Sequence, residues 1–416
     1  MKTNIWILNH YASDMYFDCG GRHYNFAKYL RRAGYAPVIF GANSKHGKPE
    51  CFLETDALWE ERIAEEIDTP FVFVRARTYT GNGKQRVLNM IDFYRNVKKA
   101  AKEYAAQHGG PDVIFASSVH PLTLVAGIQL AKQFGVKCVC EVRDLWPESI
   151  VAYSSRFTKN DPLIRLLYRG EKWIYRKADA LVFTMEAAYD YIVERGWEKD
   201  IPRSKVHYIN NGVDLEQFDY NKEHFRVDDP DLDDPDTFKV VYTGSIRLVN
   251  NLGLLLDVAG HLKERRVKFL IWGSGDEREA LEQRVRGEGL SNVVFKGRVE
   301  KKYVPAIVSR ADLNVMDMQE KNELFRFGIS PNKLFEYFAA ERPVLMYQLD
   351  RYNPAMEYRA GFVAQNKDEL VSCIETLAGG QQWEAGWTPA CSRKAAEAFS
   401  YQTLTAELIK ILEEDK

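Results

Sequence analysis

A repeated alternation of short apolar runs and helical stretches constrains the fold of this chain more than any other feature. One run of the first half, "GRHYNFAKYLRRAG", has apolar residues at helical spacing and ends in Gly34. Strand and helix in alternation predict a parallel sheet covered by helices. The pattern occurs twice, so we expect an α/β protein. The predicted strands are "NIWIL", "APVIF", "PDVIFASS", "KCVCEV", "ALVFT" and "KVHYIN", then "FKVVYTG", "VKFLIWG", "NVVFKG", "ADLNVM" and "RPVLMY".

A chain of 416 residues exceeds what one hydrophobic core usually organises, which predicts two domains. The segment "DDPDLDDPDTF", residues 228–238, is acidic and proline-bearing, and we expect a loop or linker there that packs against nothing. We place the first domain at residues 1–214 and the second at 215–395. Residues 396–416 form a last helix whose apolar face must dock elsewhere.

The charge of the chain is uneven. A formal net charge of −2 disfavours general nucleic-acid binding. Residues 75–102 nevertheless carry eight basic side chains against one acid, Asp92. This stretch is either a solvated face or a surface for anionic lipid or a phosphorylated acceptor. Its basic residues are Arg75, Arg77, Lys84, Arg86, Arg95, Lys98, Lys99 and Lys102.

Cysteine usage and hydropathy bear on the compartment. The six cysteines show no CxxC and no other zinc spacing, which fits a reducing environment. No run of eighteen apolar residues occurs. We therefore expect a cytoplasmic protein whose membrane contact, if any, is peripheral.

Several enzyme classes are disfavoured by motifs that the sequence lacks. It contains no H-E-x-x-H, no G-x-S-x-G, no Walker P-loop and no G-x-G-x-x-G followed by a ribose acid. Zinc peptidases, α/β hydrolases, P-loop NTPases and simple dehydrogenases are therefore poor hypotheses.

An unfavourably placed lysine in the second half of the chain indicates a possible anion-binding site. Ser330 and Pro331 open a predicted helix, and Lys333 lies in its first turn. A helix N-terminus already carries partial positive charge, so lysine favours the other end. An anion bound by both the ammonium and the free N–H groups would explain the placement. Glu336, one turn later, could accept hydrogen bonds from a ribose, although an ordinary exposed ion pair with Lys333 remains an alternative.

Two further turns follow strands of the second half. Gly244 and Ser245 precede Arg247 in a small-residue turn that could expose backbone N–H groups to an anion. Gly273 begins a second turn in which Asp276 and further acids would repel phosphate, so we assign that turn to structure or to sugar and base contacts.

Polar groups also end three predicted strands of the first half. His10 and the pair Gly20-Gly21 follow the first strand, and His120 follows another. A third is followed by Arg143, Asp144 and Glu148. Because ligands of parallel α/β sheets bind where the carboxyl ends of strands meet, these groups are site candidates as well as ordinary structural residues.

Five ordered blocks resemble one family. "EVRDLWPES", "YINNGVD", "FLIWGSGDEREALE", "NVVFKGRV" and "SPNKLFEYFAAERPVL" are similar to family 4 retaining glycosyltransferases of the GT-B fold. The blocks "GGRHYNFAKYLRRAGY", "SSVHPLT" and "EVRDLWPES" most resemble the bacterial subgroup that builds O-antigen, capsule and other surface polysaccharides.

The resemblance implies two Rossmann-like domains facing a cleft, with the acceptor held by the first and the nucleotide sugar by the second, and a last helix that crosses back. It implies metal-independent transfer from a nucleotide diphosphate sugar to a lipid-linked saccharide, without cofactor. His120 would lie near the transferred sugar, and Lys333 and Arg247 at the diphosphate. Donor contacts are expected at Gly20, Gly21, Gly244, Ser245, Gly273, Gly297, Arg298, Val299, Ser330, Asn332, Leu334 and Glu336.

Two departures from the family pattern keep alternatives open. Gly328 stands where the first glutamate of the family's E-x7-E motif belongs, and Glu341 replaces a glycine after the alanine pair. The missing glutamate puts the sugar in doubt. A nucleotide-sugar 2-epimerase of the same fold and a non-catalytic scaffold subunit therefore remain as alternatives to a hexosyl- or N-acetylhexosaminyltransferase.

Overall fold

The chain divides into two compact units, residues 1–210 with 401–416 and residues 211–400. The computed structural model describes residues 2–81, 83–118, 120–153, 156–316, 323–349, 351–382 and 386–414. The sequence pattern placed the corresponding limits after residues 214 and 395.

Unit 1 is built on an eight-stranded sheet in the order β3-β4-β2-β1-β5-β6-β7-β8. All neighbouring pairs are parallel except β3 and β4. The strands are β1 (Asn4–Leu8), β2 (Ala36–Ala42), β3 (Trp59–Ala64), β4 (Thr69–Val74), β5 (Val113–Ser118), β6 (Lys137–Val142), β7 (Ala180–Phe183) and β8 (Val206–Tyr208).

Helices cover this sheet and bury its apolar side chains. Trp6 of β1, for example, packs its ring 5.0 Å from Phe40 and 5.4 Å from Phe134, centroid to centroid. The helices of unit 1 are α1 (Ser13–Phe17), α2 (Arg22–Arg32), α3 (Lys84–His108), α4 (Pro121–Phe134), α5 (Glu148–Tyr153), α6 (Pro162–Lys177), α7 (Ala188–Glu194) and α17 (Tyr401–Glu413).

Unit 2 has a six-stranded parallel sheet in the order β11-β10-β9-β12-β13-β14. Its strands are β9 (Phe238–Ser245), β10 (Val267–Ser274), β11 (Val293–Gly297), β12 (Leu313–Val315), β13 (Val344–Tyr347) and β14 (Gly361–Ala364). Its helices are α8 (Leu215–His224), α9 (Pro230–Asp233), α10 (Leu252–His261), α11 (Arg278–Glu288), α12 (Val304–Ser309), α13 (Asn332–Ala339), α14 (Pro354–Glu357), α15 (Lys367–Ala378) and α16 (Pro389–Ala398).

The predicted α/β fold with two parallel sheets is confirmed. Each strand expected from an apolar run is present. Three strands were missed, namely β3, β4 and β14. β3 has three consecutive charged residues and lies at a sheet edge, and β14 is four residues long, so neither has a strong apolar run.

The expectation for residues 228–238 was wrong. This segment lies inside unit 2 and forms α9, whose Leu232 is buried. Lys296 lies 2.7 Å from Asp229 and 2.6 Å from Asp231, and Lys268 lies 2.7 Å from Asp231. The aspartates that suggested a solvated linker are thus paired with lysines of β10 and β11. Local composition could not show those partners.

The last helix belongs to unit 1. Tyr401 of α17 packs against Phe26 of α2, with ring centroids 5.5 Å apart. Buried Lys137 of β6 donates to the backbone carbonyls of Ile411 and Glu414, at 2.6 and 2.7 Å. A lysine ammonium at the end of a helix satisfies carbonyls that have no partner within the helix. The terminal helix is therefore anchored through its carboxyl end.

A neutral carboxyl group lies inside unit 1. Glu171 of α6 accepts hydrogen bonds from Tyr175 at 2.8 Å and Tyr191 at 2.7 Å. Burial raises the pKa of Glu171 from 4.5 to about 8, because the two tyrosine donors do not offset the loss of solvent. The group is thus protonated in the folded protein at pH values where it would ionise in the unfolded chain.

Lys137→Met should lower the free energy of unfolding by about 1.5–3 kcal/mol, because two charge-assisted hydrogen bonds to α17 are lost. Denaturant titration followed by circular dichroism measures the change. Lys132→Met, at an exposed position of α4, is the matched control and should leave the free energy nearly unchanged. Equal effects of the two variants would contradict the anchoring role.

Glu171 should make the stability of unit 1 depend on pH. Between pH 4.5 and about 8 the folded state holds a proton that the unfolded state has lost, so the free energy of unfolding falls as pH rises through this window. The slope approaches about 1.4 kcal/mol per pH unit. Glu171→Gln should remove it, whereas Glu198→Gln, at an exposed site, should not. Thermal melts across the window test this, and an unchanged slope in Glu171→Gln would refute it.

Candidate functional site

Three adjacent strands of unit 2 have a glycine with positive φ as their last or next-to-last residue. Gly244, Gly273 and Gly297 close β9, β10 and β11 with φ values of 148°, 151° and 82°. Gly273 pairs with Gly244, and Gly297 with Trp272, so the three turns lie side by side at the carboxyl edge of the sheet. Such conformations favour glycine, and they leave backbone without side chains where a ligand of this sheet would bind.

The first two turns touch each other. A Cβ atom built on Gly273 would lie 1.8 Å from the carbonyl oxygen of Gly244, and one on Gly275 would lie 1.9 Å from that of Ile246. Only glycine fits at either position. Gly273, which the sequence assigned to structure or to sugar contacts, therefore has a structural role in the turn.

The ammonium of Lys333 lies over the β9 turn. It is 3.2 Å from the hydroxyl of Tyr242 and 4.5 Å from the centroid of that ring. A Cβ on Gly244 would lie 3.5 Å from it. In the described structure no side chain caps the first turn of α13, whose N-cap is Pro331. A cation, a side-chain-free turn and an uncapped helix start thus converge, which is a geometry suited to an anion.

Two tyrosines that sequence reasoning missed hold this arrangement. The hydroxyl of Tyr337 accepts from the backbone N–H of Thr243 at 3.0 Å and lies 3.1 Å from the Thr243 hydroxyl. Burial raises the pKa of Tyr337 to about 12, so it stays protonated. Tyr242 donates to the carbonyl of Ser245 at 2.8 Å. The position of Tyr337, four residues after Lys333 and one helical turn away, was a signal available in the sequence.

The other donor-site candidates at and before the start of α13 differ in how accessible their side chains are to a ligand. Leu334 is fully buried, so only its backbone could meet a ligand. The Ser330 hydroxyl accepts from the backbone of Asn211 at 3.2 Å and is used structurally. Asn332 is exposed at the helix start. The carboxylate of Glu336 lies 3.9 Å from the Lys301 ammonium. Burial raises its pKa while Lys301 opposes the rise.

The candidates outside α13 are also placed. Asn250 donates to the carbonyl of Ser245 at 2.6 Å and to its hydroxyl at 3.0 Å, which fixes the turn. Arg247 and Arg298 are exposed. Val299 packs on the small core that contains Trp272, so its side chain supports the fold.

The two residues that depart from the family pattern, Gly328 and Glu341, both have a positive φ. Gly328 has a φ of 109°, a conformation that side chains rarely adopt, so the loss of the glutamate is matched by a backbone that favours glycine. Glu341 has a φ of 56°, in the left-handed region, where a glycine would be less strained.

A histidine pair marks the carboxyl edge of the sheet in unit 1. His120 precedes α4 and is buried, and its Nε2 lies 2.6 Å from Nδ1 of His10. His10 stacks on Phe93 with centroids 4.3 Å apart. Burial lowers the pKa of His120 to about 3 and that of His10 well below its usual value. The pair is therefore neutral near pH 7, with one ring donating to the other.

Further groups surround this pair, and sequence reasoning did not connect them with it. The hydroxyl of Tyr11 lies 3.2 Å from that of Tyr79 and 3.4 Å from Nε of Arg86. The ring of His46 is 4.5 Å from that of Tyr11. Asp144, which the sequence did name, is close to Arg143, and burial raises its pKa although Arg143 opposes the rise. The histidine pair and these groups come from the segments that follow β1, β2, β4, β5 and β6, so sequence spacing could not join them.

The Gly20-Gly21 turn lies over a buried ionic network. Gly21 opens α2 with a φ of 97°. Directly after it, Arg22 lies 2.7 Å and His23 2.9 Å from the carboxylate of Glu141. Burial alone would raise the pKa of Glu141, but Arg22 and His23 hold it well below its usual value. The predicted contact of the turn with donor phosphates stays a prediction.

Some of the basic side chains in residues 75–102 have local partners. Arg75 donates to the carbonyl of Ala57 at 2.9 Å, Arg77 pairs with Asp92 at 2.5 Å, and Lys98 donates to Gln129 at 2.9 Å. Lys84, Arg95, Lys99 and Lys102 are exposed, and Asn82 lies outside the described residues.

The described part of the chain contains neither a cluster of metal ligands nor a membrane-spanning helix. Within the described ranges no three His, Cys, Asp or Glu side chains are grouped as metal ligands. Nor does any helix in this part of the chain have the length and apolarity to cross a bilayer.

Two glycosyltransferase family models match this chain, and a solved glycosyltransferase-fold structure superposes on it. The model of the Glycosyltransferase Family 4 domain matches residues 22–217, and that of Glycosyl transferases group 1 matches residues 237–379. The structure of Anabaena HepE in complex with UDP has a TM-score of 0.64 at 14% identity, covering 99% of both chains. The fold is therefore that of the GT-B glycosyltransferases. The chain belongs to glycosyltransferase family 4.

Two curated relatives come from Bacillus subtilis. EpsF, assigned as a glycosyltransferase, is 28% identical over 227 residues, 51% of this chain and 52% of EpsF. TuaH, assigned to teichuronic acid biosynthesis, is 26% identical over 212 residues, 50% of this chain and 49% of TuaH. This chain thus matches about half the length of each relative.

Gly273→Ala should lower the melting temperature by several degrees, because the new methyl group meets the Gly244 carbonyl at 1.8 Å in a left-handed backbone. Gly287→Ala is the control, since Gly287 lies within α11 with no atom inside 4 Å of a new Cβ, and alanine is the better helix former. Differential scanning fluorimetry should show opposite signs. A neutral Gly273→Ala would show that the two turns do not need their close contact.

Proposed function

We propose that this protein transfers a sugar, with retention at the anomeric carbon, from a nucleotide diphosphate sugar to a hydroxyl of a lipid-linked saccharide during surface polysaccharide synthesis. The sugar is a hexose or an N-acetylhexosamine, and the protein acts on the cytoplasmic side of the membrane without a metal. The convergence of the Lys333 ammonium, the Gly244 turn and the uncapped start of α13 carries this proposal.

The donor site is the part that the geometry supports best. The family relationship brings the expectation of a nucleotide sugar, and HepE, which has the same fold, was crystallised with UDP. In this chain a diphosphate beside Lys333 would complete the over-positive start of α13. The side chain of Glu336 is 24% exposed, and its carboxylate would accept hydrogen bonds from the ribose hydroxyls.

Charge development explains why a cation belongs there. In glycosyl transfer, negative charge grows on the leaving phosphate while the sugar becomes positive. Donors fixed at that phosphate before reaction lower the barrier, and one lost donor costs on the order of 3 kcal/mol. Tyr242 and Tyr337 position Lys333 and the β9 turn, so little reorganisation is needed. The leaving phosphate would itself accept the proton of the attacking hydroxyl.

The acceptor side belongs to unit 1 in this proposal. His120 and His10 form a neutral pair that can donate or accept hydrogen bonds to a sugar hydroxyl near pH 7. Tyr11, Tyr79 and Arg86 add polar groups at the same sheet edge. The name of TuaH, which refers to teichuronic acid biosynthesis, supports a polysaccharide acceptor.

Lys333→Ala should weaken UDP binding and lower kcat/KM by about two orders of magnitude, following the loss of a preorganised donor. Thermal-shift titration with UDP, GDP and their sugars finds the nucleotide first, because a ligand of the native state raises its apparent stability. Lys367→Ala is the matched control, since Lys367 also lies in the first turn of a helix of unit 2, α15, whose N-cap Asn366 already accepts a hydrogen bond.

Three outcomes would remove the proposal. A Lys333→Ala variant with the parental Kd for every nucleotide would place the diphosphate elsewhere. A protein that binds UDP or GDP but turns over no donor with any lipid-linked saccharide would act as a binding subunit. Conversion of UDP-GlcNAc without acceptor would indicate an epimerase.

A further inference from the structure

Helix α6 of unit 1 exposes large apolar side chains. Leu163, Leu166 and Trp173 are 54%, 60% and 40% exposed, whereas Ile164 and Ile174 of the same helix are buried. The helix thus packs one apolar face against the unit and presents a second apolar face outward. Scattered exposed leucines are ordinary, but a second apolar stripe on one helix indicates a contact surface.

The exposed charges of α6 are all basic. Its single acid, Glu171, points inward to Tyr175 and Tyr191 and is neutral near pH 7. Asp200 pairs with Lys172 at 2.7 Å and Arg176 at 3.5 Å, so the last turns are partly balanced. Arg165 and Arg169 form no ion pair with any described residue. The basic residues of α6 are Arg165, Arg169, Lys172, Arg176 and Lys177.

Helical spacing separates these side chains into two neighbouring stripes. The apolar positions 163, 166 and 173 follow one another at steps of three and seven, which places them on one line of the helix surface. The basic positions 165, 169, 172 and 176 follow a second line at steps of three and four. Each stripe lies beside the buried face of α6, and both stripes are exposed. A flat partner that offers both anionic groups and apolar surface could therefore contact the two stripes at once.

The helix also begins at the functional edge of the sheet. It connects β6 to the parallel neighbour β7, so its first turn starts where the strands end. That is the edge that carries His120 and Asp144. Leu163 and Leu166 therefore lie towards the side of unit 1 where we place the acceptor.

We propose that α6 docks unit 1 onto an anionic lipid bilayer, with Leu163, Leu166 and Trp173 entering the interface and Arg165 and Arg169 contacting lipid headgroups. Leucine and tryptophan beside a basic stripe are the side chains that hold amphipathic helices in the plane of a membrane surface. The charge complementarity favours this occupant over a second copy of the chain, because two basic stripes brought together would repel.

This surface differs from the one expected in residues 75–102, where Arg75, Arg77 and Lys98 have local partners. The inference goes beyond the transferase proposal, and none of the α6 residues to be varied belongs to the donor site. Loss of nucleotide binding and loss of membrane binding can therefore be told apart.

Sedimentation with vesicles tests the inference, using the full chain. Vesicles of phosphatidylcholine alone and with phosphatidylglycerol are compared. The parent should partition to the anionic vesicles, and Arg165→Glu/Arg169→Glu should reduce the partition coefficient at least tenfold, since each basic residue near the surface contributes about 1 kcal/mol. Leu163→Ser/Leu166→Ser should reduce it as well, including at high salt, because it removes apolar contact.

Matched control variants make the same changes in charge and hydropathy at positions outside α6. Lys99→Glu/Lys102→Glu makes the same charge change on α3, and Ile63→Ser/Val87→Ser removes side chains 43% and 54% exposed. Both should partition like the parent. UDP thermal shifts should be equal in all variants, which checks folding.

Three results would overturn the inference. Equal partition of the parent to neutral and anionic vesicles would exclude charge recognition. Equal losses in the α3 and α6 charge variants would show that only net charge matters. Absence of vesicle binding together with a concentration-dependent dimer that Leu163→Ser/Leu166→Ser dissociates would show that a second copy covers the face.

Discussion

Parallel strand pairing is the constraint on which the rest of this structure depends. Because all neighbouring strands except the β3–β4 pair run the same way, their carboxyl ends collect at one edge of each sheet, together with the turns and helix starts that follow. Glycines 244, 273 and 297 meet at such an edge in unit 2, and His10, His120 and Asp144 at another in unit 1. Neither group is close in sequence, so only the sheet topology makes each a site.

Within unit 2, two levels of support fix the candidate anion site. The backbone contact between Gly273 and Gly244 sets the shape of the turns, and Tyr337 joins the end of β9 to α13. Lys333 is thereby held at the Gly244 turn, with Tyr242 beneath its ammonium. The positive charge of Lys333 interacts unfavourably with the positive end of the α13 dipole. The contacts around Lys333 hold it there, so that a bound anion can offset the repulsion.

The sequence predicted the sheets well because buried parallel strands are continuous apolar runs, and it found Lys333 because one lysine opposed the local helix dipole. It failed where partners are distant. Asp229 and Asp231 looked like parts of a solvated linker until Lys296 and Lys268 were placed beside them. Tyr79, His46 and Arg86 could not be grouped with His120, because they follow β2 and β4 whereas His120 follows β5.

The attachment of α17 has a consequence for how the protein is made. Unit 1 receives its last helix, anchored by Lys137, only after all of unit 2 has been synthesised. The growing chain on the ribosome can complete the interior of unit 2 first, while α2 and β6 wait with an uncovered apolar surface. Truncation of the chain before α17 would therefore leave apolar surface uncovered in the first half of the protein.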